Sequence, residues 1–195
     1  MRWYRKAQAD PRMFGEGESS AMFGTPSVQV RGDVLPTVIT VPGVEGSINI
    51  NFTLQDVKAA LEKTQGGEFF YDVTDIVVEP SSGKFGFVDS QHPHIIHINE
   101  RAMLEIIAKT IEQEAQKAKA QGIQPQVTPE IEKKVQYEVA MQLASTLVHE
   151  HAHAKDFQEE LRKIIETGQG SMTSVPESHG PEAEKGLAGH FEWKA

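Results

Sequence analysis

Cysteine is absent from the 195 residues. That excludes a disulfide scaffold, a thiol nucleophile and every metal site that needs thiolate ligands, so any transition-metal site must use histidine and carboxylate. Long apolar runs are missing too. None approaches the roughly 20 residues that cross a bilayer, so a membrane-spanning protein is not expected. Positive charge is scarce, with 19 Lys and Arg against 28 Asp and Glu and a net charge of −9. No basic patch offsets it, and nucleic acid is not an expected partner. The basic, aromatic start from Met1 to Lys6 is not followed by the apolar stretch of a secretory signal. A cytoplasmic location is the default expectation. What remains, 38% hydrophobic and 24% charged, is the composition of an ordinary globular chain of one domain.

Residues 1–26 are rich in Gly, Ser, Pro and acids without periodicity and read as a flexible N-terminal arm. The domain is expected over 27–195. Short β-branched runs at Val28–Val30, Val38–Val41 and Ile48–Ile50 predict strands. Thr53-Leu-Gln-Asp56 matches a capping box and opens a short helix that ends near Gly66 and Gly67. Further strands are expected over Phe69–Val78, Lys84–Val88 and His94–Asn99. From Glu100 the apolar spacing changes to that of a helix, with Met103, Ile106, Ile107 and Ile111 on one face. Thr128-Pro129-Glu130 then opens a long helix that runs through Val148 to Phe157 or beyond. Pro181 can start a last short helix that ends with Phe191 and Trp193. The fold class is α+β: a mixed β-sheet with one helix, then a helical half.

The long helix contains His149-Glu150-His151-Ala152-His153, which is His-Glu-x-x-His. At about 100° per residue, His149 and His153 lie about 40° apart on one face, so both imidazoles can reach one ion at about 2.0–2.1 Å. Glu150 sits beside them, placed to take a proton from a water activated by that ion. That is the chemistry of peptide-bond hydrolysis. His151 points about 200° from His149, toward Leu147 and Leu143, and is expected as a packed core histidine. Asp156, back on the His149 face, is a candidate acceptor for a ligand histidine.

A catalytic zinc needs a third protein ligand. The metzincin pattern would place Gly and His where Asp156 and Glu159 stand, so that class is rejected. Later candidates are Glu177, His179, Glu182, Glu184 and His190. With a helix from Pro181, Glu184 shares a stripe with Leu187, Ala188 and Phe191, and an inward carboxylate needs a partner or a metal. Glu184 is the expected ligand, and Glu182 and His179 are the alternatives.

A β-rich half, a strand ending in Ile98-Asn99, a helix with His149-Glu150-x-x-His153 and a later Glu together resemble the small zincin metallopeptidases of the gluzincin type, such as the ImmA/IrrE-like peptidases. Glu182-Ala-Glu184-Lys185-Gly186 matches the last ligand helix of that group in part, and by that alignment Glu182 could be the ligand. The resemblance implies a zinc-dependent peptidase acting on a peptide or protein substrate, with Glu150 as general base. It also implies an edge strand beside the active-site helix that holds the substrate by main-chain pairing, placed here at His94–Asn99. His92 and His94 are a possible second metal pair, and His97 a possible oxyanion partner in the cleft. Two other readings remain open: a catalytically silent zincin-like binding or structural module, for which Glu150 would be unnecessary, and a zinc amidohydrolase acting on a non-peptide amide.

Overall fold

The structure is a computed structural model that describes residues 29–31, 38–67, 69–80, 83–172, 177–187, 191 and 193. The arm expected over residues 1–26 lies outside the described residues. Among the described residues, six strands and four helices follow one another: β1 (Gln29–Arg31), β2 (Val38–Ile39), β3 (Ile48–Asn49), α1 (Leu54–Gln65), β4 (Asp75–Glu79), β5 (Gly86–Val88), β6 (Ile95–Asn99), α2 (Glu100–Ala120), α3 (Pro129–Thr167) and α4 (His179–Leu187). The class is α+β, with a small mixed sheet.

The main sheet has the order β1-β4-β6-β5. β1, β4 and β6 run parallel, and β5 pairs antiparallel with β6 through Gly86 to Ile98, Phe87 to His97 and Val88 to Ile96. Side chains alternate between faces along each strand. Ile76, Ile96 and Ile98 are all fully buried and form the face turned to α3, whereas Val77, His97 and Phe87 lie in one row on the other face. β2 and β3 form a separate antiparallel pair.

The helices begin where the side chains satisfy the free amides of the first turn. Thr53 and Asp56 exchange both bonds of a capping box at α1, Asn99 accepts from Arg101 N at α2, and Thr128 accepts from Ile131 N at α3 with Pro129 in the first turn. Helix α3 extends over 39 residues and is closed by Gly168 in the left-handed conformation, φ 70°. It packs against α1, α2, α4, β5 and β6, and Val139, Ala140, Leu143, Ala144 and Leu147 along it are buried. It is the axis on which the other elements converge.

Two expected elements come out differently. The strand expected over Phe69–Val78 begins only at Asp75. The preceding residues turn because the Asp72 carbonyl is taken by side chains rather than by a strand: it accepts from Gln158 Nε2 at 2.9 Å and faces His94 Nδ1 at 3.2 Å. Gln158 Nε2 also donates to Pro93 O at 2.8 Å, so one amide of α3 ties down two loops. The last helix starts at His179 rather than Pro181 and is described as far as Leu187, with Phe191 N donating to Leu187 O at 3.0 Å.

Truncating a side chain in the core of α3 removes its contacts and leaves a cavity. Leu147→Ala is expected to lower the unfolding free energy by about 2–5 kcal/mol in urea titrations. Ile165→Ala, at a position 47% exposed on the same helix, is expected to change it by about 0.5 kcal/mol or less. Equal losses at the two positions would contradict this placement of the core.

Candidate active site

α3 carries His149, Glu150 and His153 past the antiparallel edge strand β5 on one side and the start of α4 on the other. Between them lies a cleft of about 700 Å³, whose walls include His149, Glu150, His153, Glu177 and Glu184. Two glycines set how tightly it is built. A Cβ on Gly86 would stand 2.7 Å from Thr146 Cγ2, 2.8 Å from the His97 carbonyl and 3.1 Å from Glu150 Cγ. A Cβ on Gly180 would stand 2.5–2.6 Å from Nε2, Cδ2 and Cε1 of His149. No side chain fits at either position, so strand and helix both press directly on the motif.

The edge strand is therefore β5 and not His94–Asn99, which corrects the expectation. β6 lies inside the sheet, hydrogen-bonded on both sides to β4 and β5. Nor is His97 in the cleft. Its ring stacks on Phe87 at 4.3 Å with the planes 1° apart, on the sheet face away from α3, and its Nδ1 is 3.4 Å from a Glu79 oxygen. His92 and His94 are drawn to different partners, Asp89 at 3.1 Å and the Asp72 carbonyl at 3.2 Å. They do not form a metal pair.

His149 and His153 do come together: their Nε2 atoms are 3.2 Å apart. Two nitrogens bound to one tetrahedral zinc at about 2.0–2.1 Å would be separated by about 3.3 Å. The pair is thus spaced for a shared ion. Burial, and then the nearby His149, lowers the His153 pKa and favours its neutral form, the one that ligates metal. The Glu184 carboxylate contacts His149, but through Nδ1, the ring nitrogen on the far side from Nε2. Among the described residues, no three His, Asp or Glu side chains stand together as a ready ligand set. The arrangement is two imidazoles facing one point, with a carboxylate orienting one of them from behind.

The other acceptor expectations sort cleanly. Asp156 pairs with His179 at 2.8 Å and so holds the first turn of α4 to α3 rather than orienting His149 or His153. Glu177 lines the cleft and acts electrostatically on His153. Glu182 is exposed and is not part of the cleft wall among the described residues. His190 lies outside the described residues. His151 is 5% exposed and packs its ring on Phe69 and Phe70 at 4.4 and 5.5 Å, as expected of a core histidine.

Glu150 is 7% exposed, and burial pushes its pKa up from 4.5 to about 6. His149 and Lys84 oppose the rise, and Glu184 adds to it. A buried carboxylate that gains and loses its proton near pH 6, close to neutral, is poised for proton transfer.

No family model, curated protein or solved structure matches the chain. The site therefore stands on its own geometry. Sequence reasoning found the motif but missed Gly86 and Lys84, which line the cleft, and Gly180, which lies against the His149 ring. Phe85-Gly86-Phe87 did carry a signal, since a glycine inside a strand pattern marks close approach of another backbone.

Two outcomes follow. Gly86→Ala is expected to lower the melting temperature by several degrees, because the collisions are with a backbone carbonyl and a buried β-branched side chain. An unchanged melt would contradict the packing of β5 on α3. In metal-free protein, Glu150 binds its proton more tightly folded than unfolded, so its contribution to stability falls as pH rises from about 4.5 to about 6. Glu150→Gln is therefore expected to be more stable than the native chain by about 2 kcal/mol above pH 6.5, with the difference vanishing below about pH 4.5. Urea titrations across that range check it.

Proposed function

We propose that the chain is a zinc-dependent peptidase with a small zincin-like fold, in which His149 and His153 hold the metal, Glu150 is the general base and Glu184, expected as the third ligand, instead orients His149 through Nδ1. The observation that carries this reading is the 3.2 Å separation of the two Nε2 atoms beside a buried carboxylate of raised pKa. Imidazole nitrogens suit zinc when no thiolate is present, and a carboxylate behind a ligand histidine fixes its tautomer and ring orientation. Glu184 is the α4 carboxylate that both lines the cleft and touches a motif histidine.

When bound, zinc supplies Lewis acidity that polarises a carbonyl and acidifies water. The protein supplies position and proton transfer. A carboxylate oxygen of Glu150 takes the proton of the attacking water and passes it to the departing amine, a role for which a pKa of about 6 is suited. Burial beneath Gly86 keeps that carboxylate in place, and Gly180 and Glu184 hold the His149 ring from its face and its far edge. Among the described residues β5 is the last strand of the sheet and lines the cleft, so an extended peptide can add to it by main-chain hydrogen bonds.

Elemental analysis of protein purified without added metal tests the reading together with a peptide-library cleavage assay. About one zinc per chain is expected, lost in His153→Ala. Glu150→Gln is expected to keep the metal while cleavage falls by about 10²–10⁴-fold. A native chain that takes up no zinc would overturn the proposal, and full activity in Glu150→Gln would overturn the role of the base.

A further inference from the structure

The two walls of the cleft meet in a fixed register. Gly86 stands against Thr146 and Glu150, so the start of β5 lies over the motif. Val88, two residues later on the same face of the strand, pairs with Ile96 near the start of β6. Gln158 of α3 donates to Pro93 O just before that start. Val88 therefore lies toward Phe157, whose ring is 6.4 Å from that of His153. Lys84, two residues before Gly86, lies toward the other end of the cleft, where Thr146 and Gln142 line it.

Each end has its own supports. At the Val88 end the chain doubles back after Gly168 closes α3. Ser171 N donates to Glu160 Oε1 at 3.0 Å, and no Cβ fits at Gly170 against that carboxylate. The returning segment thus lies on α3 and brings Met172 to the cleft wall. Val88, Phe157 and Met172 come from three separate segments, and all are apolar and partly buried. At the other end Asn99, 2% exposed, donates from Nδ2 to Lys84 O and from its backbone N to Phe85 O, both at 2.8 Å. Those bonds fix the backbone of Lys84 at the wall, while its ammonium has no ion-pair partner among the described residues.

An extended peptide added to β5 turns every second side chain to the α3 face. Lys84 and Val88 are four residues apart, about 13 Å along a strand. The peptide residues that meet them are then also four apart, with the residue opposite Gly86 between them. Resting on the peptidase reading above, we propose that the substrate is an extended peptide with a large apolar side chain and a carboxylate side chain four residues apart, on opposite sides of the scissile bond. The apolar side chain sits on Val88, Phe157 and Met172, and the carboxylate pairs with Lys84. Neither contact uses Glu150 or a motif histidine, so the preference belongs to the walls of the cleft.

Fluorescence anisotropy on the full-length Glu150→Gln chain, with and without zinc, reads peptide binding without turnover. The probes are dye-labelled Leu-Ala-Ala-Ala-Asp and its reverse, Asp-Ala-Ala-Ala-Leu, each amidated at the C-terminus, and the tighter-binding order is carried forward. Replacing Asp by Asn in the peptide is expected to weaken binding about fivefold, and replacing Leu by Ser about tenfold. With Lys84→Met added, the Asp and Asn peptides are expected to bind alike. With Lys84→Glu, a peptide carrying Lys in place of Asp is expected to bind more tightly than the Asp peptide. Met172→Ala is expected to narrow the difference between the Leu and Ser peptides and to leave that between Asp and Asn unchanged, a split that misfolding would not produce. Absence of saturable binding, equal binding of the Asp and Asn peptides, or a preference for Asp that persists in Lys84→Met would each overturn the assignment. Failure to take up zinc would overturn the peptidase reading alone, because the peptide preference is read in both metal states.

Discussion

The cleft depends on how closely two other backbones approach α3. β5 reaches the helix at Gly86 and α4 reaches it at Gly180, each at a distance that leaves no room for a methyl group. Because of that contact, Glu150 is largely buried where it lines the cleft, and the His149 ring lies against the first turn of α4. The hydrogen bond between Asp156 and His179 holds that turn down, and Glu184, farther along the same helix, meets Nδ1 of His149. Placement of the motif histidines is thus a consequence of backbone packing, on a helix whose other faces are buried among α1, α2 and the sheet.

Adjacent residues on one helix here receive opposite electrostatic treatment. Burial raises the pKa of Glu150 and lowers that of His151, because in both cases it disfavours the charged form. His151 is consequently neutral at pH 7, whereas Glu150 keeps its proton only up to about pH 6 and is mostly ionised above it. The two side chains point about 100° apart, the carboxylate to the cleft wall and the imidazole into the packing of Phe69 and Phe70.

Local signals in the sequence were legible where one segment decides the outcome. The capping box at Thr53, the N-cap and proline opening α3, the apolar spacing of α2 and the shared face of His149 and His153 all depend on neighbours within a few residues, and all appear as expected. Failures arose where tertiary contact decides. Which strand lies at the edge is a matter of pairing order, and β5 is only three residues long with a glycine in it, a weak strand signal beside the β-branched run of β6. Phe69 to Asp72 has strand-like composition, but Gln158, 86 residues later, captures the Asp72 carbonyl. His97 alternates correctly along β6, yet the face it lands on is set by Ile96 and Ile98 packing on α3. The bond from His179 to Asp156 joins residues with no common periodicity, so spacing could not assign it.

The claim that His149 and His153 share one zinc ion is tested most directly by anomalous diffraction at the zinc edge, on crystals of the full chain grown with zinc. The account predicts a single strong peak about 2.0–2.1 Å from Nε2 of both residues, on the side of the cleft where Glu150 lies. A peak away from that pair, or none there while zinc is present in the crystal, would contradict it.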